Sequence, residues 1–249
     1  MKKLLLVFVV IGLIAFLVVG CTPTAPPGDE GEGEGEPEEV SRVVLVELFM
    51  ADGCSMCEII EPILEQLADE YSRDEMILVE EAVWRKYSTT ENYDRFKWYF
   101  PNSTDTPYTA LNGLNQKIIH TANHSTCKSY IDVQLSKEAK IAITATRSST
   151  SSLTTITGNI KNISSSSISN LVINGMTFAD RGETGFKYSV TDIFEEDKKE
   201  VSSLAPDESY SFSFILENIN WVGNHIHGVI FVQLPNSVKK EILQAIYIE

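Results

Sequence analysis

Between residues 41 and 138 the spacing of apolar positions changes period several times. Val43-Val44-Leu45-Val46-Glu47-Leu48-Phe49 is a near-continuous apolar run rich in β-branched side chains, as expected of a strand buried on both faces. Past Cys57 the period becomes helical. Ile59, Ile60, Ile63, Leu64, Leu67 and Ala68 fall on one side of that helix, with Glu58, Glu61, Glu65 and Asp69 largely on the other. Met76 to Val79 predicts a second buried strand, Glu91 to Phe100 a helix, Gln116 to Thr121 an edge strand, and Ser125 to Glu138 a closing helix. From Lys140 the texture changes: Ser and Thr become abundant and short alternating runs take over. These are Ile141 to Thr146, Leu153 to Ile163, Ile168 to Phe178, Phe186 to Phe194, Ser209 to Leu216, Ile226 to Leu234 and Ile242 to Ile248. With turn signals at Asn174-Gly175, Arg181-Gly182 and Pro206-Asp207, the seven runs predict an antiparallel sandwich.

The chain opens differently. Met1-Lys2-Lys3 precedes an unbroken apolar run from Leu4 to Val19, shorter than a comfortable membrane span and matching a secretory signal. It ends in Val18-Val19-Gly20-Cys21, which resembles the bacterial lipobox. That resemblance implies removal of residues 1–20 and diacylation of Cys21, with acyl chains holding the protein on a membrane of the cell envelope, outside the cytoplasm. Residues 21–40 follow as a Pro/Gly/Glu linker with seven acids and no base, too polar to bury and extended by its own charge. The 249 residues carry net charge −15, with a pI near 4.7. Setting aside the seven linker acids and the two leading lysines leaves −10 on residues 41–249. A body that acidic repels phosphate backbones, which argues against a nucleic-acid partner.

The first apolar strand runs into Met50-Ala51-Asp52-Gly53-Cys54-Ser55-Met56-Cys57, and a helix follows at once. Strand, Cys-x-x-Cys, helix is the order redox chemistry needs. The first cysteine meets free N–H groups and the positive end of the helix dipole, and the second lies one turn later, within reach to close a disulfide. Phe49 to Pro62, with Pro62 five residues past Cys57, resembles the thioredoxin family, as does Thr106-Pro107-Tyr108-Thr109-Ala110-Leu111-Asn112-Gly113, which looks like its cis-proline loop, strand and turn glycine. The resemblance covers about residues 41–138. It implies that Cys54 attacks or is attacked, that Cys57 resolves, and that a cis Pro107 with Thr106 lies against the pair and holds an extended partner chain. There are departures. Gly53 stands where the family usually has Trp. The family's buried strand acid falls at Leu48, and alternation points Glu47 to the opposite face. Asp52, Glu58 and Glu61 add negative charge that opposes thiolate formation. Ser55-Met56 matches neither reducing nor strongly oxidising patterns, so both directions of electron flow stand.

Of the four cysteines, Cys127 is left over and reads as a buried, inert thiol. Cys54, Met56 and Cys57 are soft ligands suited to Cu(I), and His120, His124 and Cys127 share a short span, yet no tight ligand spacing completes a site. His120 and His124 read as surface residues. His225 and His227 alternate on one strand without further ligands. No metal and no cofactor is therefore assigned. Leu204-Ala205-Pro206-Asp207-Glu208-Ser209-Tyr210-Ser211-Phe212 resembles the turn-into-strand segment of immunoglobulin-like domains.

The sequence thus predicts an α/β thioredoxin-like domain at 41–138, followed by an all-β antiparallel sandwich, immunoglobulin-like, at 139–249. The expected function is membrane-anchored thiol–disulfide exchange with protein thiols or disulfides. The alternatives are a non-enzymatic surface lipoprotein with a structural disulfide and, third, a Cu(I)-binding protein.

Overall fold

In the computed structural model, the residues described are 40–118, 121–182, 185–217, 219 and 221–249. The signal segment, Cys21, the linker up to residue 39 and His120 lie outside them. The elements run β1 (Val44–Ala51), α1 (Cys57–Glu70), β2 (Met76–Trp84), α2 (Thr90–Tyr99), β3 (Tyr108–Leu111), β4 (Gln116–Ile118), α3 (His124–Leu135), β5 (Ile141–Ser149), β6 (Leu153–Asn162), β7 (Ile168–Ala179), β8 (Ser189–Ile193), β9 (Lys199–Leu204), β10 (Ser209–Glu217), β11 (His227–Gln233) and β12 (Ile242–Ile248).

Local chemistry accounts for several boundaries. All eight residues of β1 are buried, as its unbroken apolar pattern requires. Thr89 Oγ1 accepts from Asn92 N (3.1 Å) to open α2, and Asn123 Oδ1 accepts from Thr126 N (2.9 Å) to open α3. Gly175 is mid-strand in β7 rather than at a turn. A Cβ there would meet Ile230 Cδ1 and the Phe194 ring at 2.6 Å, so its glycine permits close packing.

Eight strands lie in the order β12-β11-β7-β8-β2-β1-β3-β4, and β9 adds to β7 as the ninth member of that sheet. β1 pairs with β2 in parallel across α1, and with β3 antiparallel, Phe49 opposite Tyr108. A second sheet, β10-β6-β5, is antiparallel throughout.

This overturns the expected α/β thioredoxin-like domain followed by a separate sandwich. Among the described residues the body is mostly β, with twelve strands against three helices. One sheet runs through both halves of the sequence. β8 joins β2 in parallel through Glu80 and Ser189, and β7 continues outward from β8. Hydrogen bonds tie the chain's last strands to β1's surroundings: Arg42 Nη2 donates to Ile242 O (2.9 Å), Val43 N to Gln244 Oε1 (2.8 Å) and Leu114 N to Lys239 O (2.6 Å). The core ignores the boundary as well. Val46, Leu48, Ile60 and Leu64 share a cluster with Met176, Phe178, Val229 and Phe231. On the same strand Ile230 and Val232 turn the other way, into a second cluster with Ile156, Ile160, Phe212 and Phe214 of the small sheet. β11 is thus apolar on both faces and has to be interior. Burying such strands requires layers on both sides, and these come from distant parts of the chain. A third cluster, of Phe49, Val83, Phe96, Tyr99, Phe100 and Ala110, seats α2.

Candidate functional site

The pairing of β1 with both neighbours fixes the site. Phe49 opposite Tyr108 carries the residues just before β3, Thr106 and Pro107, to the end of β1 where the cysteine loop begins. Ala51 opposite Trp84 brings the residue after β2, Arg85, to the same end. The Thr106-Pro107 peptide is cis.

Cys54 and Cys57 form a disulfide with Cα atoms 5.2 Å apart. The sulfur of Cys54 takes the place of a helix cap: Met56, at the N-cap position, makes no side-chain capping bond, and Cys57 N donates to Cys54 Sγ (3.2 Å). Cys54 O accepts from Cys57 N (2.9 Å) and Glu58 N (3.2 Å). The sulfur therefore sits where the unpaired N–H groups of a 14-residue helix favour negative charge. It also lies 3.6 Å from Thr106 O, a carbonyl to which the reduced thiol can donate. Cys54 is partly exposed, whereas Cys57 is only 2% exposed and belongs to the main core. That division suits a sulfur that meets a partner and one that waits behind it.

Two features escaped the sequence reading. Arg85 Nη1 donates to Asp52 O (2.9 Å), placing a guanidinium against the loop that also carries acidic Asp52. A Cβ on Gly53, whose φ is +67°, would lie 2.9 Å from that same Nη1. Glycine at this position leaves room for Arg85, where a large side chain would displace it. The other is apolar: Met56 is 37% and Ile59 50% exposed beside the pair, although the helical period had placed Ile59 on the buried side.

The remaining sequence-selected residues lie elsewhere. Cys127 is a free, fully buried thiol whose pKa burial pushes up to about 11, so it has no access to the Cys54–Cys57 pair's partners. In this oxidised form the two cysteine sulfurs are bonded to each other, and His124 is paired with Glu70 (2.9 Å) at the surface. His227 bonds Tyr247 through Nδ1, and burial lowers its pKa. Glu47 does face away from α1, toward Arg95 and Tyr99 of α2. A cavity of about 920 Å³ between α2 and β7–β9, lined in part by Arg95, Trp98, Asn174 and Lys198, holds none of the selected residues.

No protein-family model and no curated protein matches the chain. Solved structures do. HBP35 of Porphyromonas gingivalis superposes with a TM-score of 0.62 at 14% identity, over 84% of this chain and 75% of that one. A protein of Agrobacterium tumefaciens gives 0.57 at 16% identity, over 83% and 94% respectively. At these identities the likeness is one of fold. A domain of the outer membrane lipoprotein Omp28 from P. gingivalis matches 45% of this chain with a TM-score of 0.33. Among the described residues no helix is long and apolar enough to cross a membrane.

Proposed function

We propose that this protein is an envelope lipoprotein, anchored through acyl chains on Cys21, whose Cys54–Cys57 disulfide exchanges with protein thiols. The observation that carries the reading is the position of Cys54 Sγ: partly exposed, accepting a helix N–H, and 3.6 Å from Thr106 O next to Pro107. A partner thiolate attacks Cys54 Sγ, the Cys54–Cys57 bond breaks, and Cys57 leaves as a thiolate that takes up a proton. A second partner thiolate then attacks its own sulfur in the mixed disulfide and expels Cys54, whose leaving charge the helix end favours. The partner loses two electrons and gains a disulfide; the pair becomes a dithiol. The reverse sequence reduces a partner disulfide. Met56 and Ile59 offer apolar contact to the partner, and the backbone at Thr106 offers pairing to an extended chain.

A second reading, a non-enzymatic surface lipoprotein with a structural disulfide, is favoured by the burial of Cys57 and by the acidic Asp52 and Glu58 flanking the pair. The two readings separate on one quantity. An exchanging pair has a reduction potential near the thioredoxin range of about −270 mV, whereas a structural bridge falls below about −300 mV. The companion experiment is oxidation of a reduced dithiol peptide by the full chain and by Cys54→Ser. Exchange predicts one peptide disulfide formed per oxidised chain, which the variant loses; formation equal in both, or absent from both, removes the exchange reading and leaves the structural one.

A further inference from the structure

Helical periodicity placed Glu61 and Glu65 on the solvent side of α1, and the fold places them otherwise. Glu61 is only 6% exposed, Glu65 is partly covered, and Glu80 of β2, at 0%, comes up beside them. One carboxylate oxygen from each lies within 4.8 Å of the other two. The segment that runs into β8 closes over the group. Phe186 N donates to Glu61 Oε1 (2.7 Å) and Tyr188 N to Glu80 Oε2 (2.8 Å). Gly185, at φ +82°, permits this approach, since a Cβ there would stand 2.7 Å from Glu61 Oε1. Backbone donors therefore fix one oxygen of Glu61 and one of Glu80.

The other oxygens are what point to a ligand. Glu80 Oε1 and Glu65 Oε1 are both shielded from solvent and have no hydrogen-bond partner among the described residues. Glu80 is wholly buried, so its unpaired oxygen is costly unless something positive or protic meets it. The nearby ammonium of Lys187 makes its ion pair with Asp69 (3.0 Å). Three carboxylate oxygens gathered this closely can converge on one cation, and partly fixed carboxylates suit calcium better than magnesium, which keeps its waters. Glu65, the most exposed of the three, stands at the rim.

We propose that Glu61, Glu65 and Glu80 form a binding site for a hard divalent cation of the calcium class. The site clamps α1 and β2 to the segment Gly185–Tyr188, joining the two halves of the sequence, and stands apart from the cysteine reading. Burial raises the pKa of each of the three acids, an unfavourable effect that a bound cation offsets.

The test is a titration of the full chain with CaCl2, following thermal unfolding, and with Tb3+, following luminescence sensitised by tyrosine such as neighbouring Tyr188. The expected result is one Ca2+-displaceable Tb3+ per chain and a Ca2+-dependent rise in Tm. E65Q, at the rim, should weaken binding about tenfold or more, and E80Q should remove it. Replacing Glu30, Glu32, Glu34 and Glu36 of the linker by Gln should leave the tight site intact. The proposal is overturned if Ca2+ up to about 10 mM neither saturates a site nor raises Tm, a concentration above that needed by weak extracellular calcium modules. It is equally overturned if E65Q binds like the parent, or if binding disappears with the linker acids. Should E80Q not fold, E65Q decides alone.

Discussion

Replacing Arg95 by Met tests how the helix α2 is held to the sheet. The Arg95 side chain is 7% exposed and that of Glu47 0%, with Arg95 Nε donating to Glu47 Oε1 at 2.5 Å. Tyr99 OH donates to Glu47 Oε2 (3.0 Å) and accepts from Gln233 Nε2 (2.7 Å), so the pair also links α2 to β11. Glu81 lies behind, its Oε1 3.8 Å from Arg95 Nε, and neither of its oxygens has a hydrogen bond among the described residues. Burial first, and then the charge of Glu47, push the Glu81 carboxyl well up, so it keeps its proton where an exposed glutamate would not. Arg95 is thus the cation for one buried carboxylate, and its removal strands that charge. Breaking a buried pair from one side costs about 3–5 kcal/mol. At about 2–4 °C per kcal/mol for a body of this size, Tm falls by roughly 6–20 °C.

The pH dependence has a definite sign. A carboxyl whose folded pKa is raised contributes stability fully present below its ordinary value, about 4.5, and lost as pH rises through the folded value. Without Arg95 the Glu81 carboxyl loses the neighbouring cation that holds its pKa down, so the R95M deficit should be larger at pH 8 than at pH 5. E47Q should cost less than R95M, because Glu81 is already placed to take over Arg95. The assay is urea unfolding by far-UV circular dichroism at both pH values for R95M, E47Q and the double variant. A loss under about 1 kcal/mol at pH 8, or an equal loss at pH 5, would refute the reasoning, as would additive single effects where contact predicts coupling of about 0.5–3 kcal/mol.

Cys127 should resist iodoacetamide in the folded chain and react at once in denaturant, since its thiol is buried and titrates near 11; labelling counted by mass spectrometry checks this. Gly185→Ala forces a Cβ to 2.7 Å from Glu61 Oε1 at a φ of +82°, and should lower stability by about 1–3 kcal/mol. An unchanged urea midpoint would mean that the segment over α1 yields freely.

Much of the local structure was legible in the sequence. The all-buried β1, the helix after Cys57, α2 and α3, and each of the seven second-half strands emerge near their predicted places, because period and capping residues act over a few neighbours. β9 escaped, since Lys199-Glu200-Val201-Ser202-Ser203-Leu204 buries only Val201 and Leu204 and shows no alternating stripe. The cysteine pair and Thr106-Pro107 were readable as motifs. Arg85 was not, because it reaches Asp52 only through the pairing of β2 with β1.

What the residue order determined by itself is which segments extend, which coil and which sulfurs can pair, all matters settled within one or two turns of chain. The tertiary structure alone decided that β8 completes the sheet at β2, that β11 faces two cores, and that Glu61, Glu65 and Glu80 meet beneath Gly185. Period describes a face without saying what covers it. That depends on edges more than a hundred residues apart finding each other, and strand pairing over such distances leaves no mark in local pattern.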